Sequence, residues 1–523
     1  MNFSMIILFC LVVVILVLAG WRLLWLKGKA KPIPDGAKAG DIFLKSCTVR
    51  IAGVRYQADY GALVAPENRN NPATRLIALP VKRIHSPHSQ PLEPIFYLSG
   101  GPGASNMGFK PPAWLLADHD IVMVGYRGVD GTPKLDCPEV VKAMMGVNGD
   151  LLSPASLDNL SACMRADAGR LRADGVDLDG YTIPEVVEDM ESTRSALGYG
   201  RIHLLSESYG TRVAQIYATM HPESLLCSAM IGVNPPGHFL WEPGVTDAQV
   251  AYYADLWKQA TGPAAPDLVE TMRSINTAMP RRWLFLPIDP GKVKIIAFAM
   301  LYHRTTAPII FDTYLSAEKG DPSGLALMSL AYDFMMPHMM TWGELFAIGR
   351  SADYQPGRDY RAELTTPEAV LGAPMSLLIW GSGDGWPATQ MADEYRRVHP
   401  SDVNTLLISG SIDFSTPAQF ARDELLPSLH KGKQVILAEL GHVNDFWGFQ
   451  PKAAERLLTS FYDTGVTDDS LYTYLPMDFK PAMRFPTMAK IGVVVSILLV
   501  VGLAWAIWDA VGRTLTRKKS TRQ

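Results

Sequence analysis

Ser206-Glu207-Ser208-Tyr209-Gly210 stands between a strand-like run, Arg201-Ile202-His203-Leu204-Leu205, and a helix-like one, Thr211-Arg212-Val213-Ala214-Gln215-Ile216-Tyr217. A serine on a tight strand-to-helix turn is how an α/β fold lifts a nucleophilic hydroxyl above its sheet. Such a turn needs small residues two before and two after the serine, because its backbone packs closely on its neighbours. Gly210 meets the second condition, and Ser206 stands where glycine is more usual. Taken alone, the pentapeptide reads equally well as a polar β-α turn. Its distant partners decide.

Those partners follow in the order serine, acid, histidine. After the strand-like Thr405-Leu406-Leu407-Ile408 comes a loop carrying Asp413, with Thr416-Pro417 behind it, and after Gln434-Val435-Ile436-Leu437 comes Gly441-His442. Both residues therefore fall just past the C-terminal ends of strands, where open α/β sheets gather their active-site groups. A serine hydroxyl is a poor nucleophile near neutral pH. His442 would take its proton and return it to the leaving group, while Asp413 would hold the imidazole tautomer and stabilise the imidazolium. Asp384 is a rival acid on an earlier loop, but the strand before Asp413 directly precedes the histidine strand. Upstream, Ser99-Gly100-Gly101-Pro102-Gly103 follows the strand-like Ile95-Phe96-Tyr97-Leu98. Glycines let a backbone approach a scissile carbonyl and present amide hydrogens to it. The amides of Gly101 and Tyr209 are the expected oxyanion donors.

Composition excludes other chemistries. The 523-residue chain has a formal net charge of -4 and no long central basic run, which argues against nucleic acid as a partner. Its five cysteines, at 10, 47, 137, 163 and 227, show no Cys-x-x-Cys spacing, so no structural metal is expected. Alternating strand-like and amphipathic runs from about Lys31 to Lys490 indicate a mostly parallel sheet with helices on both faces. Between about Gly237 and Gly372 the alternation gives way to helical, Met- and aromatic-rich sequence. The reading is an α/β-hydrolase fold with core segments at 40–236 and 373–475 and an inserted helical cap at 237–372. Met375 to Trp380 reads as the first strand after the cap.

Both ends are apolar. Segment 4–26 and segment 491–512 each approach the roughly 20 residues a helix needs to cross a bilayer. The first reads as an anchor, with a cleaved signal peptide as the alternative because Val17-Leu18-Ala19 resembles a small-residue cleavage site. The tail 513–523 carries Arg513, Arg517, Lys518, Lys519 and Arg522, which places it in the cytoplasm and the large middle beyond the plasma (inner) membrane, on its periplasmic or extracellular side. Arg22, Lys27, Lys29 and Lys31 pull the other way for the first segment.

Gly100-Gly101-Pro102-Gly103, Gly125-Tyr126-Arg127-Gly128, Gly180-Tyr181-Thr182, Asp189, Arg194, Leu197-Gly198, Ser208-Tyr209-Gly210-Thr211-Arg212 and Asp413 with Thr416-Pro417 form one pattern. By it the chain resembles the prolyl iminopeptidase and tripeptidyl aminopeptidase family of α/β-hydrolases, from about Cys47 to His442, with the cap least matched. The resemblance implies a serine hydrolase that cleaves peptide bonds near substrate N-termini through an acyl-enzyme, without metal or organic cofactor. It also implies an acid that holds the substrate's amine, for which Asp384 is the candidate. Exported relatives often carry a bridge in the region of Cys137 and Cys163, which makes a Cys137–Cys163 disulfide the expectation. Three positions depart from the family: Ser99 in place of histidine, Gly125-Tyr126 in place of Asp-Gln, and Ser206 in place of glycine. They leave the triad intact and the peptide substrate open. An esterase or lipase acting on apolar esters is the alternative, and a non-catalytic membrane scaffold the second. The partners expected are a peptide or small ester and the lipid bilayer. The oligomeric state is left open.

Overall fold

A computed structural model of the protein describes residues 33–145 and 149–520. The segment 4–26, and with it the expected N-terminal anchor, lies outside the described residues, as do the last three residues of the tail. Nine strands form one sheet: β1 (Ile42–Ile51), β2 (Val54–Pro66), β3 (Leu76–Ile84), β4 (Leu92–Leu98), β5 (His119–Val124), β6 (Ile202–Glu207), β7 (Leu225–Ile231), β10 (Asn404–Gly410) and β11 (Gly432–Leu437), with β8 (Arg282–Trp283) and β9 (Leu286–Pro287) forming a separate small hairpin. The order across the sheet is β1-β2-β3-β5-β4-β6-β7-β10-β11. From β5 to β11 all neighbours are parallel, and the first three strands add on antiparallel. The chain leaves β4 toward β5 on one side and returns as β6 on the other. The crevice between the C-terminal ends of β4 and β6 is therefore the topological switch point, where such sheets bind ligands.

Strands β5 and β6 are buried from end to end and β4 from Pro94 onward, as parallel strands covered on both faces must be. Helices α1 (Pro138–Met145), α2 (Pro154–Ala173), α3 (Ile183–Ala196) and α4 (Tyr209–Met220) lie between β5 and β7 in sequence. Proline opens α3 within its first turn and Gly198, at φ 76°, ends it, with Leu197 N–H donating to Thr193 O at 3.0 Å. Val186, Val187 and Met190 of α3 and Val213, Ala214 and Tyr217 of α4 bury one shared apolar layer against β4, β5 and β6.

Between Ile231 and Asn404 the chain adds no strand to this sheet. It builds α5 (Pro243–Thr261), α6 (Leu268–Thr277), α7 (Pro290–Met300), α8 (Ala307–Glu318), α9 (Ser323–Met335), α10 (Trp342–Asp353), α11 (Tyr360–Leu364) and α12 (Pro374–Trp380). The expected strand Met375–Trp380 is thus a helix. A short continuous apolar run fits a buried strand or a buried helix equally. Pro374 at its first turn tips the balance, and Ser376 accepts the Trp241 N–H at 2.7 Å from the helical side. After the sheet come α13 (Asn444–Phe449), α14 (Pro451–Thr464) and the long α15 (Phe485–Ser520). Within α15, Phe485–Gly502 is long and apolar enough to cross a membrane, and little of it is buried against the rest of the protein.

Several residues of the family pattern hold the core together. Arg127, fully buried, donates to Asp189 at 2.7 and 2.8 Å, and Arg69 reaches the same carboxylate at 2.8 Å. Arg127 also donates to the backbone oxygens of Glu67 and Gly180. A buried charge with this many partners is costly to break on one side, on the order of 3–5 kcal/mol.

Candidate active site

Ser208 sits where β6 ends and α4 begins, at φ 50° and ψ −118°. Non-glycine residues rarely adopt this conformation, which costs about 1–3 kcal/mol and persists only where neighbours over-determine it. The neighbours do so. Ser208 N–H donates to Ile231 O at 2.8 Å, and Thr211 N–H returns to Ser208 O at 2.9 Å. A side-chain carbon at Gly210 would lie 2.3 Å from Leu98 O, and one at Gly100 would lie 2.9 Å from Ser208 Cβ, so only glycine fits at either place. Ser206 is fully buried and its hydroxyl donates to Ala229 O of β7 at 3.1 Å. The extra polar atom finds a partner across the sheet, which is how this turn accommodates serine in place of glycine.

The Ser99–Ala104 loop leaves β4 beside this turn. Asn106, fully buried, pins its base by accepting Ser99 N–H at 2.6 Å and donating to Tyr97 O at 3.0 Å and Val124 O at 2.7 Å. The Tyr126 hydroxyl donates to Ser99 O at 3.0 Å. Gly101 and Gly103 have φ of 61° and 87°, the left-handed region that a tight loop requires of glycine. Tyr209 opens α4, so its N–H is among the first-turn donors with no partner inside the helix.

Asp413 and His442 come from the loops after β10 and β11. The carboxylate of Asp413 is fully buried and accepts from His442 Nδ1, at 2.8 Å to Oδ2 and 3.1 Å to Oδ1. It also accepts the N–H groups of Ser415 and Thr416 at 2.9 and 2.8 Å and the Thr416 hydroxyl at 2.9 Å. Such an acceptor fixes the proton on Nδ1 and leaves Nε2 as the ring's free face. His442 is held from behind, its N–H donating to Tyr302 O at 2.7 Å and its ring meeting the Tyr302 ring edge-on. Gly232, the residue after β7, passes under the imidazole: a side-chain carbon there would lie 2.9 Å from His442 Cε1. The residue preceding Gly232, Ile231, is the one that receives the Ser208 N–H, so a single strand end seats both the serine and the histidine.

Sequence reasoning missed four contributors. Glu207, next to Ser208, is buried and accepts the Tyr97 hydroxyl at 2.6 Å and the Trp447 N–H at 2.7 Å. Burial pushes its carboxyl above the ordinary range, against the opposing pull of those two donors and of His442. Its place inside the pentapeptide was the available signal. Glu344 and Thr341, near the start of α10, reach across from the cap: Glu344 accepts the Gly103 N–H, and Thr341 N–H donates to Gly103 O at 2.9 Å. Burial pushes the Glu344 carboxyl well up. No local motif announces a contact between positions 241 residues apart. The fourth is Gly232, whose role is set wholly by what packs on it.

A cavity of about 160 Å³ opens beside Ser208, Gly101 and Tyr209. Its walls are largely apolar: Phe239, Trp241, Phe298, Trp342 and Trp380, with Met336, Met339, Met340 and Met375. Asp384 is not part of this lining. It is exposed on the turn after α12 and accepts the Tyr354 hydroxyl, which corrects the expectation that it faces the substrate. The Cys137–Cys163 bridge is corrected as well, since both are free thiols. Asp167 of α2 caps the start of α1 by accepting the N–H groups of Glu139 and Val140, both at 3.0 Å. That clamp leaves Cys137 buried with its thiol toward Leu135 O, and Cys163 half-exposed beside Glu139 and Lys142.

A family described as alpha/beta hydrolase fold matches residues 93–304. The fold is that of the α/β-hydrolases. Tripeptidyl aminopeptidases of Streptomyces lividans and Streptomyces coelicolor are each 25% identical to the hydrolase over 291 residues, 49% of this chain and 53% of theirs. The hydrolase therefore spans about half the length of the curated relatives it matches, and its sequence likeness is to the aminopeptidase type. Among solved structures, a serine hydrolase from Cycloclasticus zankles is 12% identical, with a TM-score of 0.36 over 82% of this chain and 100% of that one.

Proposed function

We propose that the protein is a membrane-tethered serine hydrolase in which Ser208, His442 and Asp413 form the catalytic triad. The observation that carries the reading is the buried Asp413–His442 pair seated on the same strand end as the strained Ser208. His442, with its Nδ1 proton held by Asp413, takes the Ser208 proton through Nε2 as the hydroxyl attacks the substrate carbonyl. The amides of Gly101 and Tyr209 receive the developing oxyanion. His442 then protonates the leaving group, and water, activated in the same way, releases the acyl group from Ser208. The tether is α15, with the basic tail from Arg513 on the cytoplasmic side.

The likeness to tripeptidyl aminopeptidases supports peptide bonds near a free N-terminus as the substrate. A second reading, apolar esters, is favoured by the cavity itself. No aspartate or glutamate is among its described lining residues, and a protonated amine needs a carboxylate to replace its lost hydration. The deciding experiment pairs N-terminally free and blocked chromogenic peptides with short-chain nitrophenyl esters. A requirement for the free amine establishes the aminopeptidase reading, and equal cleavage of blocked and free substrates overturns it. Labelling of the membrane-bound chain by a fluorophosphonate probe, lost in Ser208→Ala, tests the triad. A non-catalytic scaffold would take no label.

A further inference from the structure

The hairpin of β8 and β9 has an unusual tip. Two-residue hairpin turns favour asparagine and glycine, because one or both positions need positive φ. Here the tip residues are Leu284, at φ 52°, and Phe285. Both point into solvent, with Phe285 69% exposed. A leucine in this conformation is strained, and exposing both side chains forfeits their burial as well. The hairpin therefore displays these two residues at a cost to its own folding.

The display is not isolated. Both hairpin strands pack on α9, whose outer side carries Leu330, Phe334 and Met335, all exposed. Met339, one turn on, is exposed too and lines the cavity beside Ser208. The opposite end of α9 seats the apolar helix α15. Gly324 gives room to Pro486, its absent side-chain carbon falling 3.0 Å from Pro486 Cδ, and Lys490 pairs with Asp321 at 2.6 Å. One helix thus joins the segment able to cross a membrane, the exposed apolar ridge and the rim of the cavity. Arg281 and Arg282, both exposed, and the half-exposed Trp283 lead up to the hairpin tip along its first strand. Basic and indole side chains beside an apolar tip suit the headgroup level of an anionic leaflet. Asp333, an acid at the edge of the ridge, is already neutralised by Lys292 at 2.6 Å.

We propose that the ridge formed by the β8–β9 tip and the outer face of α9 docks into the leaflet on its own side of the bilayer that α15 crosses, so that the methionine-rimmed cavity opens at the lipid surface. This rests on α15 being membrane-spanning, as in the function proposed above, and adds a second, monotopic contact. It commits to lipid as the occupant and makes the substrate class one that partitions into a membrane interface, whether an apolar ester or a lipidated or strongly apolar peptide.

The test places the photocrosslinker benzoylphenylalanine singly at Phe285, Phe334, Ile497 and Phe43 of the full chain, in nanodiscs of equimolar phosphatidylcholine and phosphatidylglycerol. Phe43 is exposed on β1, at the far edge of the sheet. Lipid adducts at 285 and 334 are expected to approach the yield at 497 and to exceed the yield at 43 by about fivefold or more, as for an apolar face buried in the acyl boundary. Adducts at 497 but not at 285 and 334 would overturn the docking. So would cross-links from 285 to a second copy of the chain, or equal lipid yields at 285 and 43. No lipid adduct at 497 would remove the tether and the docking together. Fluorophosphonate labelling of each variant reports separately on the fold and on Ser208, so a failure of the catalytic reading is distinguishable from a failure of this one.

Discussion

The two walls of the cavity are built on opposite principles. On the sheet side, Asp413 accepts four partners, Asn106 makes three hydrogen bonds to the backbone, and glycines stand where a single added carbon would collide. On the cap side, the surface met by the cavity is mostly methionine side chains and aromatic ring faces, with the indoles of Trp241, Trp342 and Trp380 each anchored by one bond to a backbone oxygen. Methionine is unbranched and polarizable, and refills space after a change of neighbour. In the proposed mechanism the sheet wall would fix where atoms react, and the cap wall would set what kind of surface they react beside. Substitutions on the first wall should alter rate, and on the second, preference.

Ser208→Ala should produce the largest effect. Hydrolysis of any accepted substrate should fall on the order of 10⁴-fold or more, measured as kcat, with the thermal midpoint little changed because alanine keeps the turn's backbone and loses only the hydroxyl. Asp413→Asn should follow, with kcat down about 10³- to 10⁴-fold through the wrong imidazole tautomer and KM little altered. An Asp413→Asn enzyme of near-normal rate would mean that His442 is oriented by other contacts, and the contrast between the walls would lose its main support. Gly232→Ala should cost roughly 10- to 100-fold in kcat, because the new carbon displaces the imidazole and a misplaced group of this kind loses about that much. Circular dichroism of this variant should still show a cooperative unfolding transition.

Met340→Leu, a nearly volume-conserving change on the cap wall, should shift kcat/KM less than about threefold while altering the ranking of acyl chain lengths. A tenfold loss of kcat would show that this side chain, which packs on Gly101, belongs with the rigid wall. The smallest effect concerns Glu344. Burial raises its folded-state pKa above the ordinary value of 4.5, so above that pH the folded chain keeps a proton that the unfolded chain releases. Its contribution to stability therefore falls as pH rises from 4.5 toward the raised value. Glu344→Gln can still accept the Gly103 N–H and should flatten that descent, read as the pH dependence of the denaturation midpoint. An unchanged slope would mean that the carboxyl is ionised in place.

The same division explains what could be read in the sequence. Ser208, Asp413 and His442 each lie on a loop past a strand with its own apolar run and turn residues, so local signals alone proposed them, and the fold brings Asp413 and His442 into contact. The cap offered no such anchors. Met375–Trp380 is apolar throughout, and only its Pro374 start distinguishes helix from strand. Asp384 lies on a Gly-rich loop that looks like a binding turn, but the turn faces solvent. Cys137 is buried with its thiol toward Leu135 O and Cys163 lies half-exposed, a difference of packing with no trace in cysteine spacing. Glu344 is legible only once α10 has been laid across the Gly100–Gly103 loop.

Helix α10 has a mechanical consequence of its own. Near its start, Thr341 and Glu344 hold both the C=O and the N–H of Gly103; at its far end, Asp353 pairs with the buried Arg212 of α4 at 3.0 Å. It is a crossbeam bolted to the hydrolase core on either side of Ser208. Swinging it outward would tear the loop that carries Gly101.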